Sequence, residues 1–427
     1  MRVCLLVPDL SRSGGIDVVQ AHARRLTDEH DAEVAVVPVA SPAAVADARS
    51  QEWDVALATW WTTIPYLHAL RATRRGVLAQ GFDPLHYRPE EFVDRLAATA
   101  ALAAPFDVIA VSEWVCEMVQ AIRPSASCTV VRPGIDKELF GGARRVATDG
   151  PLRILVEGQP TLWFKGIAEA LRAAGAMQHR PHVTLVALDP AGLGAVAADR
   201  VVGGLGADAM AALYREADVV LKLSRFEGLG LAPLEAFHAG VPCVVTPYGG
   251  HSEYLRHREN GLLVGFDDGP GTTRALDLLD ADRGLLARLS EGALRTAEQW
   301  PAPAQASVEL HQAMGGLSPG DADPALLEAV VRQLGPARAQ VARLNGTVAA
   351  RDRALAHELD RVLELDASRQ ELSVVLKERQ SQLEEAGDRI GAAEARIHEL
   401  AAEIEEATSS RAYRAAIALR SLLPGRR

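Results

Sequence analysis

The sequence predicts an α/β protein: two successive parallel-sheet domains followed by a C-terminal α-helical coiled coil. Three observations carry that expectation. Over residues 1–145, short β-rich runs alternate with helical segments of about 10–15 residues, the pattern of βαβ units. The alternation restarts after the polar step Ala147–Pro151 and continues to residue 314. From Val341, apolar residues recur at alternating three- and four-residue spacing through ten heptads, the period of a coiled coil.

At 427 residues the chain exceeds one ordinary domain, and two or three are expected. A composition of 48% hydrophobic and 24% charged residues is globular, with ample material for a core. The net charge of -11 argues against a nucleic-acid partner held by bulk electrostatics. Cys4, Cys116, Cys128 and Cys243 lie far apart, with neither a CxxC pair nor metal-ligand spacing, and Cys4 and Cys243 fall inside apolar strands. Buried free thiols and a reduced, cytoplasmic setting are therefore expected. No stretch reaches the roughly 18 uninterrupted apolar residues that span a bilayer. Met1–Asp9 reads as a strand entering a loop, too short and polar-flanked for a signal peptide.

In the first domain, strands are expected at Val3–Val7, Val34–Val39, Val55–Ala58, Gly76–Ala79, Val108–Val111 and Thr129–Val131. The first runs into a loop ending in Gly14 and Gly15, and a helix follows with Val18, Val19, Ala23 and Leu26 at apolar positions. Glycines at such a turn let the backbone approach a phosphate closely, although a plain turn uses the same residues. Trp60 and Trp61 follow the third strand, where they would stack on a sugar or pack internally.

In the second domain, strands are expected at Leu152–Gly158, Val183–Leu188, Arg200–Val202, Val219–Leu223, Val241–Val245 and Gly261–Val264. The most informative stretch is SRFEGLGLAPLEAFHAGVPCVVTPYGGHSEYLRHRENGLLV, Ser224–Val264. A helix beginning near Leu229–Pro233 leaves Glu227 in the preceding loop and Glu235 in its early turns. Both would face the C-terminal edge of a parallel sheet, where open α/β sheets bind ligands. A carboxylate suits a diol, because two acceptor oxygens match two adjacent hydroxyl donors. Lys165-Gly166 is a second anchor, since the chain holds only four lysines against 41 arginines. The D-x-D pairs Asp280/Asp282 and Asp321/Asp323 lie in a helix-like run and a Pro/Gly linker, so they read as capping and solvated residues.

The succession Ser-x-x-Glu-Gly-x-Gly-Leu, Leu-Glu-Ala, Ala-Gly-Val-Pro-x-Val, Gly-Gly and Asn-Gly-Leu-Leu-Val resembles the E-x7-E region of retaining nucleotide-sugar glycosyltransferases of family 4. Leu78–Pro89 is similar to a segment of a branch that includes rhamnosyltransferases. Ala110–Val119 and Thr129–Phe140 resemble the steps leading into the interdomain hinge, and Trp300 with Ala304–Met314 resembles the closing helix. The resemblance covers residues 1–314 and implies the GT-B fold, two Rossmann-like domains facing a cleft. Residues 1–145 would take the acceptor side and residues 146–314 the nucleotide sugar.

The resemblance also implies roles. Glu227 would be the catalytic residue, touching the transferred sugar, and Glu235 would accept the ribose hydroxyls. Lys165 would hold the diphosphate, and the N–H groups of Gly228, Leu229 and Gly230 would meet its phosphate side. Gly14 and Gly15 would face the donor across the cleft. Neither metal nor cofactor is implied, the nucleotide-diphosphate sugar being the donor substrate. One departure stands out, because the family carries arginine in a Gly-Arg step where this chain reads Glu157-Gly158-Gln159. Gln159, Arg225 or backbone N–H groups would substitute. No catalytic base is assigned; His86, His22 and His251 are candidates by location alone.

After a linker at 315–324, residues 325–410 are expected to form the coiled coil. One seam runs Val341, Val348, Leu355, Val362 to Ile404 and the other from Leu344 to Ala407, with charged members at 351, 358, 369 and 379. Residues 411–427 then hold five arginines and no acid, among Tyr413, Ile417, Leu419 and Leu423. Such a basic amphipathic tail suits an anionic membrane surface. It resembles segments that follow coiled coils in bacterial polysaccharide-assembly glycosyltransferases.

The expected function is transfer of a hexosyl or deoxyhexosyl unit, rhamnosyl among them, to a growing polysaccharide or lipid-linked glycan. The setting would be cytoplasmic, at the inner face of the plasma membrane. The coiled coil would join copies of the chain or a partner enzyme. Two rivals stand beside it: a catalytically inert GT-B scaffold, motivated by Gln159, and another GT-B nucleotide-sugar enzyme such as an epimerase.

Overall fold

The computed structural model describes residues 1–11, 13–142, 149–188, 198–319, 380, 384–385 and 387–403. The first half builds β1 (Arg2–Val7), α1 (Gly14–His30), β2 (Glu33–Pro38), α2 (Pro42–Ser50), β3 (Glu52–Ala58) and β4 (Arg71–Ala79). It continues through α3 (Phe92–Leu102), β5 (Asp107–Ala110), α4 (Glu113–Ile122), β6 (Cys128–Val130) and the short α5 (Lys137–Phe140). The second half builds β7 (Arg153–Glu157), α6 (Ile167–Gly175), β8 (His182–Ala187), β9 (Arg200–Gly203), α7 (Ala207–Glu216) and β10 (Val219–Lys222). There follow α8 (Leu231–His238), β11 (Cys243–Val245), β12 (Gly261–Leu263), α9 (Gly269–Ala281), α10 (Arg283–Gln299) and α11 (Pro303–Gly316).

All twelve expected strands are present, in two six-stranded sheets ordered β2-β1-β3-β4-β5-β6 and β12-β11-β10-β7-β8-β9. Every pairing is parallel, with Val3 opposite both Val34 and Val55 in the first sheet. Helices cover both faces of each sheet, so the central strands read as continuous apolar runs. Val3, Cys4, Leu6 and Val7 of β1 are fully buried. Side-chain caps start the helices where the sequence supplies them. Ser13, Ser41 and Ser112 each accept an N–H of the first turn of α1, α2 and α4.

The halves exchange chain twice. Trp300 Nε1 donates to the Pro133 carbonyl at 2.9 Å, and the Ile135 N–H donates to Pro301 at 3.1 Å. Beyond this crossing, α11 returns to the first half, where Leu310, Met314 and Leu317 join the core of β1 and α1. Leu310 and Met314, expected in the second domain, and Leu317, expected in the linker, thus turn their apolar face to the first. The start of the expected linker is docked as well. Arg74 Nη1 donates to the Leu317 carbonyl at 3.0 Å, and the Ser318 N–H donates to Asp107 at 2.7 Å.

The expectation of free thiols holds for Cys4 and Cys243 but fails for the other two. Cys116 and Cys128 form a disulfide, with Cα atoms 5.8 Å apart. Packing α4 beside β6 brings together two residues that sequence spacing alone does not pair. The argument from thiols to a reduced compartment falls with it. No helix among the described residues is long and apolar enough to cross a membrane. Residues 387–403 are helical, and the seam positions Ile390 and Leu400 are 50% and 44% exposed. The remainder of the expected coiled coil and the tail at 411–427 lie outside the described residues.

Candidate active site

In an open parallel sheet the chain order reverses at one point, and the loops on either side part to leave a crevice. In the second sheet that point falls between β7 and β10. Their C-terminal ends deliver Glu157 and Lys222, and the loop after β10 carries Ser224 and Glu227. Lys165 comes from a 3-10 turn over Trp163–Lys165. Gly166 then adopts φ +64, and a Cβ there would lie 2.1 Å from the Leu223 carbonyl. Only glycine lets this turn press against the end of β10.

The side chains form one charged cluster. Lys165 Nζ donates to the two oxygens of Glu227 at 2.9 and 3.1 Å. Lys222 Nζ lies 3.3 Å from Glu227 and donates to Glu157 at 3.2 Å. Ser224 Oγ donates to Glu227 at 2.8 Å. Glu235, on the first turns of α8, accepts from the Tyr214 hydroxyl at 3.0 Å.

Burial and charge act in opposition here. Burial alone would raise Glu227, but Lys165 and Lys222 outweigh it and hold the carboxyl at about 2. Burial also opposes the charge on Lys222, yet Glu157 and Glu227 hold its pKa above the ordinary value. Glu235 goes the other way. Burial and the charge of Glu157 push it up to about 7, against the Tyr214 hydrogen bond and Lys222. Two carboxyls eight residues apart are thus driven to different protonation, a pattern found where sites divide roles.

Across the cleft, the loop after β4 reaches the backbone at Gly228 and lies beside Gly15. A Cβ on Gly15 would sit 3.6 Å from the Gln80 amide, whereas one on Gly14 meets nothing within 4 Å. A Cβ on Gly228 would lie 2.1 Å from the Gln80 carbonyl, so the two domains meet backbone to backbone. Ser112 Oγ completes the contact by donating to the Gly228 carbonyl at 2.6 Å. Leu229 is 3% exposed, so its side chain belongs to the core. Gly230 stands at the N-terminus of α8, whose free N–H groups suit an anion.

The aromatic expectations resolve separately. Trp61 is buried and donates from Nε1 to the Tyr87 hydroxyl at 2.8 Å. Trp60 meets His86 edge-on at 4.7 Å between centroids. His86 also lies edge-on to Phe164 and Phe226 of the opposite domain, and burial lowers its pKa to about 4. Of the other histidine candidates, His22 is lowered to about 4 by burial, with Arg25 adding to the effect. His251 Nδ1 is engaged with the Tyr248 carbonyl.

Arg225, a candidate to replace the absent arginine, is already held by Asp267 at 2.5 Å. Lys222, Glu157 and Tyr214 received no role from the sequence. The one signal was a lysine inside the buried apolar run Val219–Leu223. Asp282 caps α10 by accepting the Leu285 N–H at 2.8 Å, and Asp280 pairs with Arg283 at 2.6 Å. Asp321 and Asp323 lie outside the described residues. Among the described residues, no group of three His, Cys, Asp or Glu side chains could hold a metal ion.

Residues 194–296 match the sequence profile of the family described as Glycosyl transferases group 1. The chain is 36% identical over 112 residues to the D-inositol 3-phosphate glycosyltransferase of Streptomyces bingchenggensis (strain BCW-1), covering 26% of this chain and 25% of that protein. It is 28% identical over 281 residues to the O-antigen biosynthesis protein RfbC of Myxococcus xanthus, covering 64% of this chain and 21% of that protein. The matched stretches thus span a quarter or less of these relatives' own length. In three dimensions the chain is similar to Anabaena Alr3699/HepE in complex with UDP and glucose, with a TM-score of 0.60 and 17% identity, covering 74% of this chain and 99% of that one. That likeness establishes the GT-B fold.

Proposed function

Since the chain carries a group 1 glycosyl transferase domain on a GT-B fold, we propose that it transfers a sugar from a nucleotide-diphosphate donor with retention of configuration. The observation that carries the reading is the cluster at the switch point, where Lys165 and Lys222 hold an ionised Glu227, with Glu235 on the following helix bonded to Tyr214. In this reading Glu227 binds the hydroxyls of the transferred sugar, and Glu235, once ionised, accepts two ribose hydroxyls. Lys165 and the free N–H groups at Gly228–Gly230 take up the charge that builds on the leaving diphosphate. The acceptor oxygen bonds to the anomeric carbon on the face the diphosphate leaves. A diphosphate oxygen takes the hydroxyl proton, so neither a metal nor a separate base is required.

The unit transferred would be hexosyl or deoxyhexosyl, rhamnosyl among them, and the acceptor a growing surface polysaccharide or lipid-linked glycan. The O-antigen name of the M. xanthus relative supports that acceptor class. Residues 325–410 would join copies of the chain or a partner enzyme, and 411–427 would rest on the anionic inner face of the plasma membrane. Light scattering would show a monomer for the full chain if the coiled-coil assignment is wrong.

The decisive measurement is release of nucleoside diphosphate from a panel of UDP-, dTDP- and GDP-sugars. Glu227→Ala should lower kcat/KM on the order of a hundredfold or more, the loss of a contact made to the reacting sugar. Unchanged turnover in that variant would sink the assignment and leave the inert scaffold in its place.

A further inference from the structure

Glu227 holds two lysines, although it carries a single charge. They reach it from different places. Lys165 stands on the short turn before Gly166, with its side chain 21% exposed, whereas Lys222 ends a buried strand and is 4% exposed. Val219, Val220 and Leu221, the strand residues before Lys222, are fully buried. A cation in such a place is tolerated only when paired. Glu157 supplies that pairing from β7, the neighbouring strand at the switch point, at 3.2 Å. Lys222 is therefore fixed in the sheet and permanently charged, while Lys165 sits at the cleft side.

Resting on the donor reading above, we propose that Lys222 is a positioning residue: the standing counter-ion of Glu227 that frees Lys165 to move onto the donor's diphosphate. Without it, Glu227 would have Lys165 as its sole cation. Transferring Lys165 to a phosphate would then strand a carboxylate that is 14% exposed. With it, Glu227 keeps Lys222 at 3.3 Å and the Ser224 hydroxyl at 2.8 Å after Lys165 departs.

The test uses the full chain and calorimetric binding of UDP, dTDP and GDP, each against its monophosphate. The nucleotide bound most tightly by the wild type serves as the probe. Lys222→Met is combined with Glu157→Gln so that the half-buried Glu157 carboxylate is not left unpaired, and neutralising such a pair together is often tolerated. Glu157→Gln alone is the control, because it also relieves Glu235 of a like charge. Relative to that control, the double variant should lose about tenfold or more of its preference for diphosphate over monophosphate, the scale of one charge-assisted hydrogen bond. In a Lys165→Met background, removing Lys222 should have no further effect on that preference. An unchanged preference in the double variant, or additive losses with Lys165→Met, overturns the inference while leaving the donor reading intact. A wild type that binds none of the three diphosphates overturns the donor reading and this inference together. If the double variant shows no thermal transition, Lys222→Gln with Glu157→Gln takes its place under the same criteria.

Discussion

The two sheets share one plan and use it differently. Strand order reverses beside β1 in the first and beside β7 in the second, so each half opens a crevice at its C-terminal edge. The second fills that crevice with charge: Glu157, Lys165, Lys222 and Glu227 meet within hydrogen-bonding distance. The first offers backbone, small residues and rings, with Gly15 against Gln80 and Trp60 edge-on to His86. One fold therefore presents two chemically different surfaces, and the difference lies in what the strand ends carry rather than in the topology. The halves also differ in covalent bracing. The first holds the Cys116–Cys128 disulfide, while Cys243 in the second is free.

The contrast can be pressed at several points. Reducing the disulfide, or replacing both cysteines by alanine, should destabilise the first half by about 3 kcal/mol, the chain-entropy value for a loop of this length. Urea unfolding with and without reductant would show it, and the transition of the second half should not move. Gly228→Ala should cost about 1–3 kcal/mol through overpacking and lower kcat/KM as well, because its Cβ would strike the Gln80 carbonyl.

Titration of Glu235 provides a third point. Its carboxyl is raised from 4.5 to about 7, so it keeps its proton at the acid side of neutrality. Only the ionised form offers both oxygens to a diol, so donor affinity should rise several-fold as pH passes upward through about 7. Stability moves oppositely. The contribution of this group is fully present below 4.5 and is lost as pH rises through about 7. Glu235→Gln should flatten both trends, as calorimetry and thermal melts across that range would show. Gly14→Ala should have the smallest effect, within about 0.5 kcal/mol, since the new methyl meets nothing. A marked loss of donor affinity in that variant would show that the backbone at Gly14 itself meets the diphosphate.

What the sequence made legible is what repeats locally. Strands show as apolar runs, and Glu227, Glu235 and Lys165 stand in motifs a few residues long. Lys222 and Glu157 are 65 residues apart and meet only because β10 lies beside β7. Neither residue has a neighbour in sequence that announces the other. The disulfide has the same cause, since Cys116 and Cys128 belong to different elements whose packing is tertiary. The destination of α11 was hidden too, because an apolar helix face does not say which of two sheets it will cover. Arg225 is the complementary case: its position suits a phosphate, but no nearby residue announces that Asp267, 42 residues on, pairs with it.

The double crossing of the chain has a mechanical consequence. The outgoing segment at Pro133–Ile135 and the returning segment at Trp300–Pro301 are bonded to one another, and Gly134 lies so close that a Cβ would be 2.4 Å from Ala302. A single tether would act as a ball joint, free to swing and twist. Two tethers fastened side by side behave as a door hinge: swivelling is suppressed and opening is confined to one axis. The close approach of Gly228 to the Gln80 carbonyl is thereby held to one alignment.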